Sequence, residues 1–558
     1  MRKIALLGLI VAFATTALAV PAKPGPTIIT DADGTEHTVY LHGDEFFHYM
    51  TLADGRWVEM QNGRLAEVPA LSQDEIMNRH NARCAKLAPQ RVMTATNQAR
   101  PLNIAPRGLI ILANFSDVSF SAENTLAAFE AMFDSETYTY HGATGSARRY
   151  FEDQSFGQYR PDFDVVGPVT VSQPQKYYGA NSRMGDDSHP DELIIEACQL
   201  ANTEWNVDFT PYDNDHDGVI DFVYVIYAGQ GEADGGPTYT IWPHTAYIYQ
   251  SYGKTVYLDG LMLNTYACSN ELHYVLGFGL TREGIGSFCH EFSHVLGLPD
   301  HYATNNSLVK QTGYWDLMCS GSYNNNSNTP AGYTAYERFF MGWGTPVVLN
   351  EPVTIDSMQS LVSTGEMYIV TETGESNLKG NDPNPTKFYM LENRVRESWD
   401  MYVPGEGLLI TYINYSYGRW LSNTVNNYEP RGYYIIEADG KAPQYPDVGY
   451  MGKATDAFPT EDVNSCLLFD NIPVSGIKRH DDNTIHFDFK GGSDHIGNLA
   501  KEKAEEWYGE DYTEVVAVFD AAGRKVHSEG NLNDLPQGMY IVSVSNGKKE
   551  KGVKIYIK

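Results

Sequence analysis

The stretch "CHEFSHVLGLPD", Cys289 to Asp300, sets two histidines four positions apart with a glutamate between them, and closes on an aspartate three residues past a glycine. Ile285, Phe288, Cys289, Phe292, Val295 and Leu296 recur at helical spacing and predict one apolar stripe, with His290 and His294 on the opposite face. Imidazoles at i and i+4 stand one above the other and can share a metal ion, while Glu291 is left beside it to take a proton from water. Gly297 can take the left-handed conformation that stops a helix, and the turn then brings Asp300 back as a third ligand. The plainer alternative is a helix with two surface histidines. The glycine and aspartate that follow weigh against it.

The rest of the chain fixes where such chemistry would happen. It has 558 residues, 42% of them hydrophobic, enough to bury several cores, so three or four domains are expected. Arg2 and Lys3 precede an apolar run from Ile4 to Leu18, and Ala17-Leu18-Ala19 offers a small-residue cleavage signal. This reads as a secretory signal peptide over 1–19, with the mature chain beginning near Val20 and located outside the cell or at its surface. No other apolar run is long enough to span a bilayer. A net charge of -31, from 40 basic and 71 acidic residues, argues against nucleic acid or an anionic membrane as partner. Six cysteines are too few for a disulfide scaffold, and whether Cys289 and Cys319 pair is left open. Cys84, in "NARCAKL", could hold an N-terminal segment on zinc as a thiolate, against the plainer reading of a buried cysteine in a small domain.

Composition changes in steps. Residues 20–106 start with strands and end in "APQRVMTATNQARPLNIAPRG", an exposed linker suited to a proteolytic nick. From 107 to 345, strands such as "GLIILANFSD" and "DFVYVIYAG" alternate with helical patterns, predicting an α+β or α/β unit with a mixed sheet and an active-site helix. Short alternating strands from 346 to 492 predict a β-sandwich, and 493–558 a short C-terminal β module able to close a small sandwich of its own.

A second motif, "GYWDLMCSGSYN", places Met318 in a tight turn 18 residues beyond Asp300. His-Glu-x-x-His-x-x-Gly-x-x-ligand followed by a methionine turn resembles the metzincin zinc peptidases. Asp300 stands where their third histidine is usual, with His301 as the near alternative. Together with "YTAYERFFMGW" and "YAGQGEADGGPTYTIWPH", these motifs resemble the immune inhibitor A family of secreted bacterial metallopeptidases, strongly over 108–345. The resemblance implies a zinc endopeptidase acting on proteins or peptides, made as a zymogen with residues 20–106 as pro-segment. Its metzincin side implies that a tyrosine could assist the oxyanion. Ser320 occupies the usual place, which leaves Tyr323 and Tyr302 as candidates. The strand around Ile241 to His244 could take substrate as an added β-strand.

In "DNDHDGVIDF", Asp213, Asp215, Asp217, Asp221 and the Val219 carbonyl match the first nine positions of a calcium loop, although Tyr224 replaces its closing glutamate. Ca2+ is expected there besides Zn2+, against a solvated acidic turn. The end of the chain, with "VFDAAGRKV", "LPQGMYIVSV" and "KGVKIYIK", resembles a type IX secretion sorting domain and implies bacterial secretion machinery as a partner. The competing class is a secreted adhesin or binding protein with a structural metal. Such a site needs no base beside it, which favours the enzyme.

Overall fold

The structure is a computed structural model that describes residues 20–44, 47–87, 106–181, 187–305, 312–440, 451–492, 495–527 and 535–557. The expected signal peptide, the linker over 88–105 and the side chain of Cys84 lie outside what is described.

The sheet that positions the site grows around the strand Arg107–Asn114. Its run "GLIILAN" is apolar without alternation because both faces are covered: Leu109, Ile111 and Ala113 enter one core, Ile110 and Leu112 the other. The strand lies between Asp162–Thr170 and Val223–Gln230, parallel to both; Thr265–Val275 continues the parallel order, and His244–Tyr247 closes that edge antiparallel. The helix Pro190–Glu204 covers the first face through Leu193, Ile194, Ala197, Cys198 and Ala201. The helices Leu126–Asp134, Ala147–Gln154 and Gly286–Val295 cover the second.

Residues 26–67 form a five-stranded antiparallel meander, followed by the helix Gln73–Leu87. Between 347 and 489, a five-stranded and a four-stranded sheet face each other across Val370, Leu391, Leu408, Ile410, Val474, Phe487 and Phe489. The five-stranded sheet buries its other face, Met367, Ile369, Phe388, Met390 and Ile413, against Ala335, Tyr336 and Phe339. This β unit is therefore built into the site-bearing unit. A fully buried Arg394 strengthens the joint by pairing with Glu392 and Asp400, and Asp400 accepts the Gly332 N–H at 3.0 Å.

The C-terminal strands make one four-stranded antiparallel sheet and not a sandwich. Its apolar face, with Val518, Val542, Val544, Val553 and Ile555, is closed by the helix His495–Tyr508, where Ala500 and Ala504 let helix and sheet approach closely. The polar, lysine- and glutamate-rich look of that helix hides its short alanine stripe. Among the described residues no helix is long and apolar enough to cross a membrane.

Candidate metal and catalytic site

The helix Gly286–Val295 is anchored by Phe288 and Phe292, which meet Phe133, Phe151, Phe163 and Phe222 largely edge to face. That anchor sets its rotation. Its first turn passes so close to the 320–323 turn that a Cβ on Gly286 would lie 1.9 Å from the Ser322 carbonyl oxygen, so only glycine fits. Gly297, at φ 107, then reverses the chain and donates its N–H to His294 O at 3.0 Å.

The reversal brings three side chains together. His290 Nε2 and His294 Nε2 are 3.1 Å apart, and Asp300 Oδ1 lies 3.1 Å from the first and 3.3 Å from the second, all fully buried. Ligands bound about 2.0–2.1 Å from one tetrahedral zinc ion sit about 3.3 Å from one another, so the spacing fits. The tautomers fit as well. His290 Nδ1 donates to Leu317 O and His294 Nδ1 to Leu298 O, each at 2.8 Å, which leaves both Nε2 lone pairs facing inward. Burial alone would raise the Asp300 carboxyl, but the imidazoles of His294 and His290 bring it well below the usual range.

Glu291 stands beside this trio. Its Oε2 accepts from Thr245 Oγ1 at 2.5 Å, and its Oε1 from the Val20 backbone N–H at 2.9 Å. Burial pushes its carboxyl up to about 8, with His290 and the Thr245 hydroxyl pulling the other way.

His301, the alternative ligand, points elsewhere. Its Nδ1 bonds Asp316 Oδ2 at 2.8 Å, in a separate buried group with Glu337, and its N–H donates to Met318 O at 2.8 Å. Asp316 Oδ1 accepts the Met318 N–H at 2.7 Å. The methionine turn is thus locked, and through Leu317 O it orients His290. Cys289 and Cys319 are both buried, and no disulfide joins them.

The cleft is filled by the chain's own residues. Trp242 Nε1 donates to Val20 O at 3.2 Å and the Tyr323 hydroxyl to Pro21 O at 2.7 Å, while Val20 and Ala22 share a buried cluster with Ala233, Trp242 and Tyr323. Tyr302 is buried too. Among the described residues the strand His244–Tyr247 pairs on one side only, with Thr265–Val275, whereas Ile241 and Trp242 use their backbone elsewhere: Ile241 O accepts from Tyr227 and Trp242 N–H donates to Asp187.

Of the acidic loop, Asp213, Asp215 and Asp221 come together. Asp217 is not part of that group; its carboxylate accepts the Val219 N–H at 2.9 Å, and Val219 pairs with Met262 in a short sheet.

Residues 119–343 match the immune inhibitor A peptidase M6 catalytic domain. Over that span the chain is similar to that metallopeptidase family. The chain is 25% identical over 279 residues to the Pre-pro-metalloprotease PrtV of Vibrio cholerae serotype O1 (strain M66-2), covering 45% of this chain and 30% of that protein. It is 26% identical over 232 residues to Immune inhibitor A of Bacillus thuringiensis subsp. alesti, covering 35% and 31%. It thus spans about a third of the length of these relatives.

Three contacts carry no local signal in the sequence. Thr245 on Glu291 comes from the sheet edge and Val20 from 271 residues away. Asn423, 123 residues past Asp300, bonds both its carboxylate and its N–H.

Proposed function

We propose that the protein is a secreted zinc-dependent endopeptidase, made as a zymogen, that hydrolyses proteins with Glu291 as general base. The observation that carries the reading is the convergence of His290 Nε2, His294 Nε2 and Asp300 Oδ1 with a carboxyl alongside. Zinc, when held by these three, supplies a Lewis acid and lowers the pKa of water at its open position. Glu291 takes the proton from the attacking water, with Thr245 fixing one of its oxygens, and returns it to the leaving amine. Substrate lies along the edge strand His244–Tyr247 as an added strand.

Latency is supported by Val20–Lys23, which fills the cleft and engages the base itself. The Vibrio relative is named as a pre-pro-metalloprotease, which agrees with this. Loss of the 20–106 segment after a cut in the linker frees the site. Asp213, Asp215 and Asp221 gather around Ca2+ in this reading, and the C-terminal module serves export. An adhesin with a structural metal would have no use for a buried carboxyl beside three ligands.

Hydrolysis of casein by the purified, processed chain tests the reading. Cleavage is expected to stop with a zinc chelator and return with zinc; a chain that never cuts casein or any peptide would contradict it.

A further inference from the structure

Val20 N–H rests on Glu291, the group that in the proposed reaction hands a proton to the leaving amine. The Val20 nitrogen therefore stands where that amine would be. Counting along the segment, Val20 takes the first place after a scissile bond and Lys23 the fourth. Lys23 is fixed there by its own N–H, which donates to Ala233 O at 3.0 Å.

The Lys23 side chain turns inward. Its Nζ donates to Tyr274 O at 2.6 Å and lies 3.8 Å from Asp234 Oδ1, with the side chain only 15% exposed. Asp234 and Glu283 are 1% and 3% exposed. Asn270 Nδ2 satisfies Asp234 Oδ2 at 3.1 Å and the Ser287 hydroxyl satisfies Glu283 Oε1, but Asp234 Oδ1 and Glu283 Oε2 have no hydrogen-bond partner. Burial raises both carboxyls, and the Lys23 charge opposes it at each.

We propose that this acidic pocket is a substrate subsite selecting a lysine or arginine four residues C-terminal to the scissile bond, and that Lys23 occupies it until the N-terminal segment leaves. The inference rests on the endopeptidase reading above. Its physical ground is what Lys23 leaves behind. Removing one member of a buried charged group leaves the others uncompensated, which is strongly unfavourable, so the emptied pocket gains most from a new cation of the same reach. A substrate with a basic residue at that place restores the bonds to Tyr274 O and the attraction of both carboxyls. A glutamate there adds a third like charge.

The test uses the full chain after proteolytic processing and a peptide set identical except for Lys, Ala or Glu at the fourth position after the cut. The Lys peptide is expected to exceed the Ala peptide in kcat/KM by about tenfold, with Glu poorest, the scale of a charge-assisted hydrogen bond. The hexapeptide Val-Pro-Ala-Lys-Pro-Gly is expected to inhibit about tenfold better than its Ala analogue. Asp234→Asn flattens both ratios, and Glu283→Gln serves if that variant does not fold. Equal cleavage of Lys and Ala peptides by an active enzyme would overturn the subsite and leave the peptidase standing. If no peptide is cut in a chelator-sensitive way, the peptidase reading falls and takes the subsite with it.

Discussion

Asn423 and Asp300 hold each other at both ends of one amide: Asn423 Nδ2 donates to Asp300 Oδ2 at 2.5 Å, and the Asp300 N–H donates to Asn423 Oδ1 at 2.7 Å. One carboxylate oxygen is thereby occupied, and the other, Oδ1, is left facing His290 and His294. The β unit that supplies Asn423 is thus part of the site's geometry. Asn426 adds to this by donating to His301 O at 2.8 Å.

Losing the amide should cost about 10–100-fold in zinc affinity, the usual effect of removing a group that orients a ligand. Asn423 sits at φ 52, so Asn423→Ala adds backbone strain, whereas Asn423→Gly keeps the conformation and removes only the side chain. Competition with a zinc-binding dye measures both. Unchanged affinity in a folded Asn423→Gly protein would remove Asn423 from this role.

Latency is tested at Tyr323, whose hydroxyl is committed to Pro21 O. Tyr323→Phe removes one hydrogen bond, worth about 1 kcal/mol, so the ratio of uncut to processed activity should rise about fivefold. Peptide hydrolysis before and after linker cleavage gives that ratio. A fall of about 10²-fold or more in the processed form would instead assign the phenol to the oxyanion.

The acidic loop predicts a stability effect. A calcium-selective chelator should lower the melting temperature by about 5 °C, since binding at 100 times Kd contributes about 2.7 kcal/mol. Calorimetry of the zinc-loaded chain with and without calcium reads it, and Asp215→Asn should shrink the shift. No shift in either protein would leave a solvated acidic turn.

How far the sequence could be read follows from how local each feature is. The turn from His290 to Asp300 was legible because its spacing, its glycine and its aspartate sit within a dozen residues, and the apolar run at 109–112 announced a strand buried on both faces. Nothing local separates His301 from Asp300, because what sets them apart is a distant partner: Asp316 takes the His301 imidazole, while the Asp300 carboxylate faces His290 and His294. Asn423, Thr245 and Val20 reach the site only through tertiary packing, and nothing in their neighbouring residues marks them. At the C-terminus, the strands were legible, but the helix that closes them was not, because two alanines amid charged residues give a weak apolar stripe.

Glu291 is the proposed proton acceptor beside a bound zinc ion, and the Glu291→Gln protein separates that role from metal binding. Zinc content and peptide hydrolysis are measured on the same processed, folded sample. Zinc is predicted to stay near one ion per site while the rate drops by about 10²–10⁴-fold, the range of lost general-base help. Near-normal hydrolysis by that zinc-loaded variant would remove Glu291 from the role of general base.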